Sequence, residues 1–232
     1  MCQFFSFVGD GYGNYLYSDW NTRKENPEHY HDSHTTILTR NKVPPRLQDR
    51  WSKYEYNPLT KEFTVDQGVE GHDHEAAENW VQHLNFKRVV EPLVIKKIRN
   101  PLTGRAKKVT EKEIALLDEW IQIVGSVRGS VKDLVWYSIY ASVGDSVCAS
   151  VGASVWDSVG ASVWDSILDS DSGSVWGSVM AYLSSFFKIK YTYDFSYAIK
   201  LWNSGFVPSF DGKKWRLHSG KKAEIVYERR VK

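Results

Sequence analysis

The sequence predicts an α+β protein, on three observations: short strand-like runs at both ends, amphipathic helices beside them, and a four-residue repeat in the middle. We expect an N-terminal α+β domain over 1–109, a capping helix with the repeat over 110–181, and a C-terminal helix with a basic β-hairpin over 182–232. The 232 residues suffice for a sizeable core. Hydrophobic residues at 42% and charged residues at 25% argue against wholesale disorder.

Aromatic and β-branched runs at the start of the chain predict two hairpins and their neighbours. The expected elements are strands at 4–8, 15–17 and 89–98, a hairpin over 53–65, and a helix over 75–84. Glycine- and asparagine-rich turns separate the first two strands, and an Asn-Pro turn lies at the centre of the second hairpin.

The middle of the chain is a tandem repeat. From Ser126 to Ala181 it consists of fourteen tetrads in one phase. Ser holds the first position in thirteen, with Leu134 the exception, and Val or Ile holds the second position in thirteen, with Asp171 the exception. Single-base codon changes connect the residues found at the third and fourth positions. The pattern therefore indicates a repeat of four codons that expanded by slippage and then drifted.

A period of four does not match the α-helix. With 3.6 residues per turn, a stripe of valines would rotate by about 40° with each tetrad. Because the tetrads are also rich in poor helix formers, we expect a β-solenoid that buries the valine column. A long irregular helix is the alternative. The tryptophans at the third position would form either a packing surface or an exposed strip that binds a partner: Trp136, Trp156, Trp164 and Trp176.

Helices are predicted on both sides of the repeat. Residues 110–124 begin with a Thr-x-x-Glu capping box, and residues 178–187 leave the repeat as a second short helix. A further helix should end at Gly205, followed by two or three strands with a hairpin turn at Asp211-Gly212 and a break at Gly220.

Charge and composition exclude several classes of protein. The formal net charge of +2 is too balanced to argue for a nucleic-acid-binding protein, and we expect no such partner. The segment 182–232, with eleven basic and four acidic residues, can touch phosphates, and a solvated surface is the alternative. Two cationic and six acidic side chains give the repeat −4, so the remainder carries +6. No apolar stretch is long enough for a membrane span. Two cysteines, Cys2 and Cys148, suit a reducing compartment, so we expect a cytoplasmic protein.

Cys2 is the first candidate for chemistry. Removal of Met1 would give it a free α-amino group, the arrangement used by enzymes with an N-terminal nucleophile. His34 would then be its partner, with one ring nitrogen oriented by Asp32. The alternative is that Cys2 is a small buried residue at the start of a strand.

Two histidine clusters are the second candidate. The metal-ligand candidates are His29, His31, His72 and His74, each with an aspartate nearby. Their spacing matches no specific metal motif, and solvated loop histidines are the alternative. Because the chain has neither a P-loop nor a dinucleotide-binding glycine motif, we expect no cofactor.

Several strings together resemble a phage- and prophage-associated protein family also seen in gut bacteria. They are MCQFFSFVGDGYGNYLYSDW, DSHTTI, KYEYNPLTKEFTVDQ, VEPLVIKKI, the SVWD-type tetrads and LWNSGFVPSFDGKKWRLHSG. TRNKVPPR departs from the more apolar stretch of the family. The resemblance implies an origin and an architecture with a variable number of tetrads, and it implies no particular activity.

Three functions follow as hypotheses. The first is a non-enzymatic phage or prophage protein that binds a host macromolecule or small ligand in the host cytoplasm, with a counter-defence role. The second is a hydrolase or transferase that depends on Cys2. The third is a spacer or assembly protein. Homo-oligomerisation is compatible with each.

Overall fold

The computed structural model describes residues 5–25, 33–167 and 172–231. Contacts divide the chain into two compact units, unit 1 (1–97 with 143–151) and unit 2 (98–142 with 152–232). The α+β class is confirmed: helices accompany two antiparallel sheets, and neither sheet is closed. Within these ranges, no helix has both the length and the apolar character that a membrane span requires.

Unit 1 is built on a four-stranded antiparallel sheet in which the two hairpins of the sequence prediction lie side by side. Its strands are β1 (Phe5–Gly9), β2 (Tyr15–Leu16), β3 (Ser52–Asn57) and β4 (Glu62–Gln67), in the order β2-β1-β3-β4. Its helices are α1 (Trp20–Glu25), α2 (His34–Arg40) and α3 (His74–Gln82), with 3-10 helices at Pro45–Arg50 and Phe86–Arg88.

Strand β1 is buried along its whole length because both faces of the sheet are covered. On one face Phe7 stacks on Tyr54, with ring centroids 4.9 Å apart, and lies 5.1 Å from the ring of Trp80 on α3. On the other face Val8 packs against Ile37 and Leu38 of α2. Alternate side chains of a strand point to opposite faces, so an almost continuous apolar run is what a doubly covered strand requires.

Unit 1 differs from the sequence prediction at residues 89–98 and at α2. Residues 89–98 do not form the expected strand, because Pro92 removes a ladder donor and only Leu93 makes an isolated bridge. Helix α2 was not expected, since its threonines and isoleucine are weak helix formers. The hydroxyl of Ser33 accepts a hydrogen bond from the Thr36 amide and caps the helix.

The described tetrads do not show the expected β-solenoid. They form α5 (Val131–Val143), α6 (Asp145–Ile167) and α7 (Ser172–Ser184), as in the helical alternative, with a break at Gly144. The drift of the valine stripe is accommodated because the buried stripe winds around each helix: over α6 it turns by about 200°. All thirteen second-position Val and Ile side chains are buried.

Several serines are tolerated in these helices because their hydroxyls bond to their own helix, whereas the Ser174 hydroxyl exchanges hydrogen bonds with the backbone of Phe210. Ser138 donates to the Leu134 carbonyl and Ser142 to the Ser138 carbonyl, each at 2.7 Å. Ser178, whose side chain is fully buried, donates to the Val175 carbonyl at 2.8 Å. A serine that bonds back onto the preceding turn leaves no orphan hydroxyl in the core.

The third position of the tetrad sets the contacts between repeat helices. Trp136 of α5 lies against Gly152 of α6, where a Cβ on the glycine would be 3.5 Å from the indole. Trp156 of α6 stacks on Trp176 of α7, with centroids 4.7 Å apart and planes inclined by 6°. The ammonium of Lys132 lies 5.2 Å from the Trp176 ring centroid. Third-position residues therefore face each other across helices, in one case as a Trp–Gly pair and in the other as a Trp–Trp pair.

The remainder of unit 2 follows the sequence prediction. Helix α4 (Glu111–Ser126) begins with the expected capping box, and α8 (Ser196–Ser204) ends at Gly205 in the left-handed conformation. Strands β5 (Val207–Phe210), β6 (Lys214–Ser219) and β7 (Glu224–Arg230) form a meander with turns at Gly212 and Gly220. The Arg99 backbone is held by two stacked rings, because Tyr182 accepts from its amide and Trp202 donates to its carbonyl, each at 2.8 Å.

Candidate functional site

Several of the sequence-predicted site residues lie outside the described residues. They are Cys2, His29, His31 and Asp32, together with the side chain of Trp164. The pairing of Cys2 with His34, and of His34 with Asp32, therefore stays a prediction. The described candidates are His34, His72 and His74 in unit 1 and three tryptophans of the repeat.

The histidines of unit 1 gather along strand β3. His34 donates from Nε2 to the Tyr54 carbonyl at 3.0 Å, and its Nδ1 lies 3.6 Å from a carboxylate oxygen of Asp66. His74 Nδ1 shares a hydrogen bond of 3.0 Å with the Tyr54 hydroxyl. His72 Nδ1 shares one of 2.8 Å with the Ser52 hydroxyl. Each ring is oriented by a different group of the same strand.

This arrangement satisfies polar groups of an interior strand rather than presenting a reactive group. The Ser52 hydroxyl has no exposed surface and also accepts the Val69 amide at 3.0 Å. Tyr54 is 1% exposed, and burial raises the pKa of its hydroxyl. Among the described residues, no group of three or more acidic, histidine or cysteine side chains is placed to hold a metal ion.

A second serine–histidine pair lies within the C-terminal sheet. His218 donates from Nδ1 to the Ala223 carbonyl at 3.0 Å, so its neutral ring accepts at Nε2 from the Ser209 hydroxyl at 2.7 Å. Ser209 is fully buried and His218 is 3% exposed. Burial lowers the pKa of His218, which keeps the ring neutral. The pair satisfies the polar groups of a buried strand position and offers no access to a substrate.

The tryptophans of the repeat pack between helices. Trp136, Trp156 and Trp176 are half-buried, and each has a partner on a neighbouring repeat helix, as described above. These contacts favour the packing role over the exposed binding strip. Their part in binding a partner stays a prediction.

One feature of unit 1 that is open to a ligand is a cleft of about 350 Å³. It is lined by Tyr17, Asp19, Trp20, Asn21, Lys87 and Arg88. We call it the Trp20 cleft. Two aromatic rings and two cations thus share a cavity of the size that holds a small molecule.

One wall of the cleft is the start of α1. The Asp19 carboxylate accepts a hydrogen bond of 2.8 Å from the Thr22 amide, and hydrogen bonds from Thr22 lower the pKa of Asp19. This carboxylate is therefore ionised and already occupied by the first turn of the helix. The ammonium of Lys24 lies 5.9 Å from the ring centroid of Trp20 and holds one face of the indole.

The opposite wall is the 3-10 helix Phe86–Arg88. Asn85 caps it, since its side-chain oxygen accepts the Lys87 amide at 3.2 Å. Lys87 and Arg88 are exposed, and neither forms an ion pair with a described residue. Burial raises the pKa of the Tyr17 hydroxyl, and the nearby charge of Arg88 opposes that rise. Because Tyr17 and Arg88 both line the cleft, the two side chains can contact the same ligand.

Unit 2 has a larger depression, of about 570 Å³, between the end of α7 and α8. Its lining consists of hydroxyl, aliphatic and aromatic side chains with one carboxylate, that of Asp194, and no cation. The Tyr191 hydroxyl donates to the Ser184 carbonyl at 3.1 Å, so this hydroxyl of the depression already has a partner. The depression lacks the charge that distinguishes the Trp20 cleft.

Sequence reasoning missed the Trp20 cleft because its two walls are separated by more than sixty residues and match no motif. The available signals were weak: an Asp-Trp-Asn string after a strand, and adjacent cations in NFKRVV. Comparison with known proteins adds no identification, since no family model, no curated protein and no solved structure matches the chain.

Proposed function

We propose that this is a non-enzymatic binding protein that captures a small ligand in the Trp20 cleft. The ligand we infer is a planar ring that bears a phosphate or carboxylate. One observation supports this above all: Trp20 and Tyr17 line the same cavity as Lys87 and Arg88. In keeping with the phage resemblance, the protein would act in the host cytoplasm and remove a ligand that a defence system uses.

The two cations suit an anion because the one carboxylate in the lining, Asp19, is committed to capping α1. An arginine presents a planar fork that matches the oxygens of a phosphate or carboxylate, and a lysine adds a point charge. A hydrogen bond to a charged group contributes about 1.5–3 kcal/mol. The cations therefore supply most of the affinity for a small ligand.

The ring specificity would come from Trp20 and Tyr17. Tyr17 is fixed from behind, since its ring contacts Phe5 with centroids 5.5 Å apart and Trp80 at 5.9 Å. Fixed aromatic faces select planar groups at little entropic cost. Asn21 adds an amide that can donate to and accept from a ring edge.

Isothermal titration with ADP and with adenosine tests the proposal. We expect ADP to bind and adenosine to bind at least about tenfold more weakly, because it lacks the charged group. Arg88→Gln should weaken ADP binding by about tenfold or more, and Trp20→Ala should do the same through the ring. Lys61→Gln, an exposed cation on the β3–β4 turn, is the matched control and should leave binding unchanged.

Binding of ADP that persists in both Arg88→Gln and Trp20→Ala would contradict the assignment of the cleft. The absence of any binding by ADP and by the corresponding ring carboxylate, orotate, would contradict the ligand class. The Cys2-dependent enzyme, the spacer, binding of a host macromolecule and homo-oligomerisation stay predictions, and Cys2→Ala separates the first of these from the others.

A further inference from the structure

Two lysine-rich turns of unit 2 are joined to each other by their backbones. The Lys221 amide donates to the Gly104 carbonyl at 3.0 Å, and the Lys107 amide donates to the Ser219 hydroxyl at 3.2 Å. Ser219 in turn donates to the Gly205 carbonyl at 2.9 Å. Segments more than one hundred residues apart in sequence thus form one surface.

The close approach depends on a glycine. Gly220 has φ of +76°, and a Cβ at this position would lie 2.5 Å from the Ala106 amide nitrogen and 2.8 Å from its Cα. A side chain there would meet backbone, which cannot move aside, in a conformation that already disfavours L-residues. The position in the sequence where Gly precedes two lysines therefore fixes those lysines beside the Arg-Ala-Lys-Lys turn.

The two segments are free of acidic residues: neither 99–110 nor 212–223 contains Asp or Glu. Two of their cations are neutralised, because Lys214 pairs with Glu228 at 2.5 Å and Arg216 pairs with Asp211 at 2.5 Å. Seven exposed cations of these segments form no ion pair with any described residue, and five of them lie on the two joined turns; these five are Arg105, Lys107, Lys108, Lys221 and Lys222, which we call the two-turn patch.

Lys107 is also held in place. Its ammonium donates to the Ser204 carbonyl at 2.7 Å, at the end of α8, and its chain lies along Gly205. The backbone bonds fix the turns that hold the other four cations. An ordered set of cations loses less conformational entropy on binding than the same charges on a flexible tail.

We propose that the two-turn patch binds the phosphate backbone of nucleic acid. The net charge of +2 is too balanced to argue for such a partner, yet the aspartates of the repeat offset cations that the fold gathers at one place. None of the large exposed apolar side chains belongs to 99–110 or 212–223. Protein interfaces have an apolar centre, whereas nucleic-acid interfaces are polar and positively charged. The surface therefore fits phosphates better than an acidic protein.

Fluorescence anisotropy with a labelled DNA duplex of about 24 base pairs tests this, at about 50 and 200 mM KCl. The patch variant is Arg105→Gln/Lys108→Gln/Lys221→Gln/Lys222→Gln, which retains Lys107 and its hydrogen bond. The control variant, Lys42→Gln/Arg46→Gln/Lys61→Gln/Lys97→Gln, has the same composition change at exposed positions of unit 1. Circular dichroism and thermal midpoints check that all three proteins are folded.

We expect the unmodified protein to bind in the micromolar range and to weaken steeply with salt. The patch variant should bind at least about tenfold more weakly at low salt, with a logarithmic salt slope lower by three to four, since each lost phosphate contact removes about one. The control variant should change the affinity less than about threefold. Two double variants, Arg105→Gln/Lys108→Gln and Lys221→Gln/Lys222→Gln, should each show about half of the decrease in salt slope that the fourfold patch variant shows.

Three results would overturn the proposal. The first is no binding by the unmodified protein at low salt, and the second is an equal loss in the patch and control variants. The third is tighter binding of poly-L-glutamate than of DNA at matched salt, abolished in the patch variant, which would assign the surface to an acidic protein. None of these results bears on ADP binding in the Trp20 cleft, because that cleft lies in unit 1.

Discussion

The sheets and the repeat helices build their cores by different rules. In the sheet of unit 1, a buried residue has partners of its own: Phe7 stacks on Tyr54, and the Ser52 hydroxyl bonds to both Val69 and His72. In the repeat, thirteen equivalent positions hold Val or Ile, and the hydroxyls of Ser138 and Ser142 bond to their own helix. In the sheet, the residue type that a position requires is therefore set by the side chains that contact it. In the repeat, it is set by the position within the tetrad.

This difference implies different tolerance to change. Residues with several particular partners are costly to replace, because their neighbours cannot relax to fill the space. Residues repeated at thirteen equivalent sites need only be apolar and of similar volume. Substitutions matched between the two regions measure how far this holds.

The largest contrast is expected in the cores. Phe7→Ala should lower the free energy of unfolding by about 3–5 kcal/mol, because the ring is fully buried among aromatic partners. Ile139→Val, which restores the commonest residue of the tetrad, should cost about 0.5–1.5 kcal/mol. Urea denaturation followed by circular dichroism measures both. Because Phe→Ala removes more atoms than Ile→Val, the matched comparison is Ile37→Val, the same change at a buried residue that packs on β1. A cost of Ile37→Val no greater than that of Ile139→Val would remove the distinction between the two cores.

The buried histidine of the C-terminal sheet should make stability depend on pH. The pKa of His218 is lowered in the folded protein, so above about pH 6.5 the ring is neutral in both states and contributes no pH dependence. Below that pH the unfolded chain takes up a proton that the fold resists. Stability should then fall by up to about 1.4 kcal/mol per pH unit until the folded ring is protonated too.

Denaturation between pH 5 and 8 should show that His218→Asn removes this part of the slope. The control is His83→Asn, which makes the same substitution at an exposed position at the end of α3. If the pH dependence of stability in His218→Asn is as steep as in the unmodified protein, the pKa of His218 is not lowered in the folded state.

Serines in the two regions should respond differently to removal of the hydroxyl. Ser52→Ala leaves the Val69 amide without its partner and should cost about 1–3 kcal/mol. Ser138→Ala removes a bond to its own helix and gains helix propensity, so it should change stability by less than about 0.5 kcal/mol. Chemical denaturation of the two variants in parallel decides this, and a large loss in Ser138→Ala would contradict the role given to the repeat serines.

The smallest effect concerns the stacked tryptophans. In a double-mutant cycle with Trp156→Leu and Trp176→Leu, we expect a coupling free energy of about 0.5–1.5 kcal/mol from the ring stack. A cycle between Trp136 and Trp176, for which no ring contact is described, serves as the control and should give almost none. Equal coupling free energies in the two cycles would mean that the ring stack itself contributes no measurable stability.

The sequence predicted those parts of the fold that local chemistry decides. The capping box at Thr110, the left-handed Gly205 and the Asp211-Gly212 turn formed as expected, because each depends on a few neighbouring residues. The Val-rich stretch before Asn100 failed as a strand, since one proline outweighs its β propensity. Helix α2 was missed because packing of Ile37 and Leu38 overrides weak local preference.

The candidate sites could be predicted from the sequence to a smaller extent than the fold. The sequence offered His34 as a catalytic residue and His72 and His74 as metal ligands, and these roles stay predictions. The partners that the structure gives these three rings, Ser52 and Tyr54, come from a strand that no spacing rule connects to them. The Trp20 cleft and the two-turn patch unite distant segments. Such sites follow from strand order and turn contacts, and these are not encoded in any single stretch of the chain.

The helical form of the tetrads gives their number a geometric meaning. Each tetrad inserted into α6 would extend that helix by about 6 Å and turn its far end by about 40°. Nine insertions would be needed to complete a full revolution. Each slippage of four codons therefore lengthens the helix and rotates its end at the same time. Successive repeat numbers thus make the following chain leave the helix in different directions.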